Sequence, residues 1–271
     1  MSGHLVTVRV WGDFACFTRP EMKVERVSYP VMTPSAARGV LEAIFWEPEM
    51  YYLIDSIYVI QRGRWLSFRR NEVVSVISLD SAKTWMRAPE KFTPIQAGGG
   101  APDGTQRNML ALEGVEYLIT AEVHVTELGR RSNQIIQKYA AEIERRAKAG
   151  KCYHRPYLGV REFAADFSWE DDARAAFERR AAELGKQCGA IWPEEDLGLM
   201  LYDVFDHEPR AHGFRWLIQT GRSTTARNSG PKWEGTRIKP QGVFFRARVE
   251  RAKLDCHPGR IRFAGSRTRE A

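Results

Sequence analysis

The chain has 271 residues, 43% of them hydrophobic and 28% charged, with a formal net charge of +7. That length holds one large domain or two small ones, and the composition is that of a soluble globular protein. No apolar run approaches the roughly 20 residues of a membrane span, and the opening MSGHLVTVRVW lacks the long apolar core of a secretory signal. Four scattered cysteines without a CxxC pair suit a reducing cytoplasm, and six histidines show no HxxxH or HExxH spacing, so no metal or other cofactor is expected. The charge is unevenly placed. From His207 onward 15 Lys/Arg stand against 5 Asp/Glu, a surplus of 10, which leaves the rest of the chain at −3. The window Gly129 to Glu162 holds nine Lys/Arg against three Glu. Basic surfaces of this kind suit nucleic acid, although the same charge also serves solubility.

Leu5 to Trp11 alternates apolar and polar residues and predicts a strand with Leu5, Thr7, Arg9 and Trp11 on one face, broken by Gly12-Asp13. A long loop over 14–32 follows, ordered by its aromatics and methionines. Thr33-Pro34 reads as an N-cap with proline at the first helical position, and Ala37, Val40, Leu41 and Ile44 fall on one helical face before Pro48 ends the helix. YLIDSIYVIQ predicts a strand from Tyr52 to Gln61, which completes a β-α-β opening of ferredoxin-like or RRM-like type. Arg69 to Val73 leads into a further short strand. Residues 80–108 read as irregular, with a glycine triplet that lacks the GK[ST] of a phosphate loop. Val115 to Thr126 alternates as a strand. Residues 134–149 read as a helix with Ile135, Ile136, Tyr139 and Ile143 on or near one face, ending at Gly150. A turn and a strand through Arg161-Glu162-Phe163 follow. Glu170 to Leu184 predicts a helix, and Leu197 to Phe205 and Gln241 to Leu254 predict core strands, flanking a Gly/Arg/Ser/Thr-rich segment over 207–240. Trp11, Trp46 and Trp65 read as core.

Several blocks together resemble one family. They are Val8 to Pro48, Arg69-Arg70-Asn71-Glu72-Val73, Gln106-Arg107-Asn108, Arg145 to Phe163 (RRAKAGKCYHRPYLGVREF), LGLMLYD and VFFRA. They are similar to the CRISPR-associated protein of the Cas-five group, subtype I-C, over most of residues 5–205 and again from Val243. The resemblance implies an α+β fold of the RAMP superfamily. A ferredoxin-like domain would occupy 1–205 with inserted loops, and a smaller, basic, β-rich part would occupy 206–271. It implies an endoribonuclease that cuts CRISPR repeat RNA and stays on the 5′ handle of the mature crRNA. The implied partners are the backbone and large subunits of the type I-C interference complex. The basic tail is also compatible with non-specific DNA binding, and no membrane partner is expected.

Metal-free RNA cleavage uses the ribose 2′-OH as nucleophile. The protein must take the 2′ proton, give a proton to the leaving 5′ oxygen, and stabilise charge on the phosphorane. The family's site resembles a helix-end aromatic, usually Tyr or His, with a Lys-His or Lys-Tyr pair ahead of RR-x-x-x-G. Counting back from Gly150 assigns Lys138 and Tyr139 to that pair, and Phe45 to the helix end, where this sequence departs from the pattern. Lys138 suits charge stabilisation. Tyr139 suits orientation of the 2′-OH, or proton abstraction only if Lys138 lowers its pKa, since an ordinary tyrosine titrates near 10. His154 is the reserve acid or base. Arg145 and Lys148 can share a helix flank with Lys138 and follow a phosphate backbone. Arg19, Lys23, Arg26, Arg69, Arg70 and Arg107, in loops and at strand ends, complete the RNA-contacting candidates.

Overall fold

The computed structural model describes residues 3–96, 100–185, 194–204, 218–222, 231–234 and 242–264. In chain order β1 (His4–Ala15), β2 (Arg26–Val27), α1 (Pro34–Ile44), β3 (Met50–Gln61), β4 (Arg64–Val73) and α2 (Leu79–Arg87) come first. Then follow β5 (Gly104–Val125), α3 (Glu127–Arg131), α4 (Ile136–Lys148), β6 (Asp166–Trp169) and α5 (Ala173–Glu183). Beyond α5 lie β7 (Glu195–Asp203), β8 (Ile218–Arg222), β9 (Pro231–Glu234), β10 (Val243–Glu250) and β11 (Lys253–Asp255).

The strands β6-β1-β5-β3 lie side by side, each antiparallel to its neighbour. With α1 after β1 and α4 after β5 they form the β-α-β-β-α-β unit of a ferredoxin-like fold, as the opening β-α-β pattern predicts. Val8, Val10, Tyr117, Ile119 and Ala121 are fully buried on the face that α1 and α4 cover. Period-two alternation sends Arg9, Glu116, Leu118 and Tyr58 to the opposite face. There α5 lies across the strands. Its Phe177 ring sits 5.4 Å from that of Tyr58, and Arg180 donates two 2.8 Å hydrogen bonds to Glu116. The sheet continues past β3 through β11, β10 and β7, while β8 and β9 form a separate two-stranded pair.

Several elements differ from the sequence expectation. Gly12 does not break β1: the strand runs on to Ala15, pairing Gly12 with Val115 and Phe14 with Glu113. The glycine is needed for close approach, since a Cβ there would meet Leu158 Cδ1 at 2.8 Å. The segment 80–108 is not irregular, because it contains most of α2 and the start of β5. The first half of β5 pairs with β4 and its second half with β1 and β3, so one long strand serves two sheet regions. Helix α1 stops at Ile44, before Pro48, with the Thr33 side chain accepting from Ala36 N as predicted. Residues 161–163 form a turn, closed by Leu158 N donating to Phe163 O at 2.8 Å, and not a strand. Gly159 in that turn has φ +87° and presses on Cys16 O, so only glycine fits. The expected strand 241–254 is a hairpin, β10–β11, turning at Arg251 and Ala252, both with positive φ. Trp46 and Trp65 are 37% and 46% exposed, so they are not core residues, and Trp11 is half-buried beneath the Arg9 guanidinium. The expectations for Gly98-Gly99, for Cys188, and for 207–240 apart from the strands β8 and β9 fall outside the described residues.

Candidate active site

The site forms where the end of α1 meets the side of α4. Phe45 is the C-cap of α1, its N–H donating to Leu41 O, and its own carbonyl accepts a 2.8 Å hydrogen bond from the Tyr52 hydroxyl. Tyr139 lies in the first turn of α4, and its ring stacks on that of Phe45 at a centroid distance of 6.3 Å and an interplanar angle of 28°. Lys138 Nζ lies 5.2 Å from the Tyr139 ring centroid and donates to Gln134 Oε1 at 2.9 Å. The three residues assigned by resemblance are therefore neighbours in space, although 93 positions separate Phe45 from Lys138 in the chain.

Tyr139 is buried, 1% exposed, and its hydroxyl has no hydrogen-bond partner among the described residues. Burial, aided by the carboxylates of Glu49 and Glu47, pushes its pKa up to about 12. Lys138 does not lower it, so at neutral pH the group is a neutral phenol and a hydrogen-bond donor.

Helix α4 ends in a Schellman motif. Lys151 N donates to Arg146 O at 2.9 Å and Gly150 N to Ala147 O at 3.2 Å, with Gly150 at φ +63°. This turn carries the chain back onto α1. Tyr153 N donates to Ala43 O at 2.9 Å and His154 N to the same oxygen at 3.2 Å. His154, an exposed residue, is thus fixed beside the helix end that carries Phe45, its Nδ1 3.4 Å from Arg155 O. Its neighbour Tyr153 is 83% exposed. The guanidinium of Arg146 lies over the Phe45 ring, 5.1 Å from its centroid, while its Nε donates to Glu142 at 2.7 Å. Arg146, Tyr153 and Tyr52 were not among the sequence candidates. Arg146 is seven residues after Tyr139, two helical turns on the same face, which is the signal that could have found it.

The remaining basic candidates fall into two groups. Arg145 and Lys148 reach carboxylates on their own helix, Glu142 and Glu144, each at 2.7 Å. Beside the β4–β5 hairpin, Arg26 and Arg70 both pair with Glu72 and Glu162 and so tie β2, β4 and the 157–164 turn together. Arg107 approaches Glu25 at 3.9 Å, and Arg19 stacks on Tyr29 at 4.5 Å while approaching Glu21 at 3.7 Å. Lys23 and Arg69 project into solvent. Among the described residues no three His, Cys, Asp or Glu side chains are grouped to hold a metal ion, and no helix is long and apolar enough to cross a membrane.

Residues 5–251 match the Cas5d family model, described as CRISPR-associated protein (Cas_Cas5). The chain belongs to the Cas5 family. A "CRISPR pre-crRNA endoribonuclease Cas5d" from Mannheimia succiniciproducens is 39% identical over 221 residues, covering 80% of this chain and 92% of that protein. A protein of the same name from Thermus thermophilus is 44% identical over 164 residues, 60% of this chain and 63% of the relative. A solved structure titled "Crystal Structure of CRISPR-associated Protein" superposes with a TM-score of 0.56 at 18% identity, covering 94% of this chain and 92% of that one. A functionally uncharacterized protein from Streptococcus mutans gives a TM-score of 0.54 at 17% identity, covering 95% and 94%. At these identities the two structures bear on the fold alone, and they share the α+β architecture that the Cas5 resemblance implies.

Proposed function

We propose that this chain is a precursor-CRISPR-RNA endoribonuclease that cuts repeat RNA without a metal and then stays on the crRNA 5′ handle as a subunit of a type I-C interference complex. The observation that carries the reading is the meeting of Lys138, Tyr139 and Phe45 at the α1–α4 junction, in a chain whose relatives bear that activity in their names. In the proposed reaction the 2′ oxygen bonds to phosphorus as the P–O5′ bond breaks. The 2′ proton leaves to a base, the 5′ oxygen takes a proton, and the products are a 2′,3′-cyclic phosphate and a 5′-OH. Lys138 stabilises the charge that builds on the phosphorane. The Tyr139 phenol, held neutral, orients the reacting ribose by a hydrogen bond once bound RNA opens access to its buried hydroxyl. His154, whose backbone N–H donates to Ala43 O at the same helix end, is the group that exchanges the proton in this reading.

The exposed apolar side chains of residues 73–92, among them Val74, Val76, Leu79, Met86 and Phe92, support a second part of the reading. Exposed apolar side chains of this kind fit contact with another subunit. The basic segment from His207 would add electrostatic attraction for RNA, and for DNA without sequence preference, in a cytoplasmic complex.

A second reading, a handle-binding subunit that does not cut, is favoured by one observation. Phe45 has no proton to exchange, and the Tyr139 hydroxyl is buried. One assay separates the two. Purified protein in excess is incubated with its cognate repeat RNA in EDTA, and the products are probed for a cyclic phosphate. A single cut supports the endonuclease. Tight binding with no cut leaves only the handle-binding role.

A further inference from the structure

The β4–β5 hairpin has two faces of opposite chemistry. Its register places Arg69 against Asn108, Arg70 against Arg107 and Asn71 against Gln106. On the inner face Phe68 and Met109 pack with Cys16, Val160 and Phe163, and every guanidinium meets carboxylate: Arg70 and Arg26 meet Glu72 and Glu162, and Arg107 meets Glu25. That face is self-neutralised and structural. The outer face carries Trp65, Ser67, Arg69 and Asn71 from β4, opposite Gln106 and Asn108 of β5, all exposed. None of its β4–β5 register positions from Trp65 to Asn71 holds a carboxylate, Arg69 pairs with none of the acids that occupy the inner face, and the Glu25 carboxylate bordering the row accepts from the Asn108 backbone N–H. Gln106 Nε2 donates to Asn71 Oδ1 at 3.3 Å. That bond orients both amides, and among the described residues the Asn71 amide N–H groups and the Gln106 carbonyl have no other partner, so they can meet a ligand.

A guanidinium and three amides, set in two adjacent cross-strand pairs, match what the edges of nucleobases offer: paired donors and acceptors within one plane. A surface meant only to hold phosphate would need charge, and this one has one cation among neutral amides. Trp65, 46% exposed at the end of the row, supplies a ring face on which a base can stack. We propose that this outer face reads base identity in a single-stranded segment of the bound RNA, with Arg69, Asn71, Gln106 and Asn108 contacting base edges. The inference rests on the RNA-binding part of the proposed function, not on cleavage.

The test is fluorescence anisotropy with the full-length protein. Its ligands are cognate repeat RNA and a set of RNAs in which each base outside the hairpin stem is replaced in turn. The parent protein is expected to lose about tenfold in affinity at one or two positions, the discrimination of one good bidentate contact. Asn71→Ala combined with Asn108→Ala is expected to abolish that discrimination, the cognate RNA losing about tenfold more affinity than the replaced RNAs. Both side chains are exposed, so the thermal transition should not move. Parental discrimination in the double variant, or an equal loss of affinity for every RNA, overturns the proposal. Cleavage is scored separately. Absent cutting with intact discrimination sinks the endonuclease reading and leaves this one standing, whereas parental discrimination in the variant does the reverse.

Discussion

Phe45 and Tyr139 stack at the mouth of α1 with Arg146 across the Phe45 ring, so a single atom added or removed there has a chemical meaning. Phe45→Tyr supplies the hydroxyl that the family pattern expects at the helix end, and it is expected to raise the single-turnover cleavage rate. An unchanged rate would show that this position no longer takes part. Lys138→Ala removes the cation proposed to face the phosphorane. Loss of such a group costs roughly 100-fold or more in rate, while RNA affinity measured by anisotropy should change by only a few-fold, because Lys138 is one of many cations. Parental cleavage by Lys138→Ala would move the active site elsewhere. Tyr139 provides a test by pH. With its pKa at about 12, the phenol stays protonated through the whole working range. Tyr139→Phe should therefore lower the rate without altering the shape of its pH profile between pH 6 and 9. A profile that lost a limb in the variant would show that Tyr139 ionises during catalysis. The same shift affects stability with a defined sign. The unfolded chain releases the phenolic proton near pH 10, and the folded chain holds it until about 12. The stabilisation is therefore complete below pH 10 and is lost between 10 and 12.

Helix α4 and the turn after it carry five of the candidate site's residues, Lys138, Tyr139, Arg146, Tyr153 and His154, and the hinge of that arrangement is Gly150. At φ +63° a Cβ costs about 1 kcal/mol, and the Schellman bonds depend on that conformation. Gly150→Ala is expected to lower the unfolding midpoint by that order in a denaturant titration, and to weaken cleavage more than binding, because Tyr153 and His154 lose their seat on Ala43. The sequence made this element readable: apolar spacing marked the helix and the glycine marked its end. It made α1 readable too, through Thr33-Pro34. It concealed elements whose polarity pointed the wrong way. The first half of β5 is GTQRNMLA, polar where it forms one arm of the outer hairpin, so alternation was visible only from Val115 onward. Helix α2 buries no residue, so no core stripe announced it. The site itself was only partly legible. Lys138, Tyr139 and Phe45 were marked by a resemblance and are neighbours in the fold. Arg146 was not singled out beside Arg145, and the folded chain parts them: Arg146 reaches Phe45 as well as Glu142, while Arg145 reaches Glu142 alone among the described groups.

Across the whole molecule, the four-stranded face that an RRM-like fold would leave open for RNA is occupied. Helix α5 covers it, and the contact is ionic as well as apolar: Glu116, 5% exposed, accepts two hydrogen bonds from Arg180 of α5, with Arg9 of β1 at 3.5 Å. That buried carboxylate pairs with two guanidinium groups at once, with Glu170 near Arg9 and Glu183 near Arg180 sharing their charge. Glu116→Ala would leave both without it, and removing one partner of such a network costs on the order of 2–3 kcal/mol. The loss should appear as a lower unfolding midpoint at unchanged denaturant slope. It should not appear in RNA recognition. The proposed RNA contacts lie at the α1–α4 junction and on the outer hairpin face, and α5 touches neither through any interaction described above. At a temperature where the variant remains folded, its affinity for repeat RNA is therefore expected to equal that of the parent, with the same salt dependence. A variant that stayed folded but bound RNA several-fold more tightly would show that α5 competes with RNA for the sheet face, and that the RRM-like surface is a binding site held closed by the helix. A variant that lost affinity in proportion to stability would place the RNA on α5 itself.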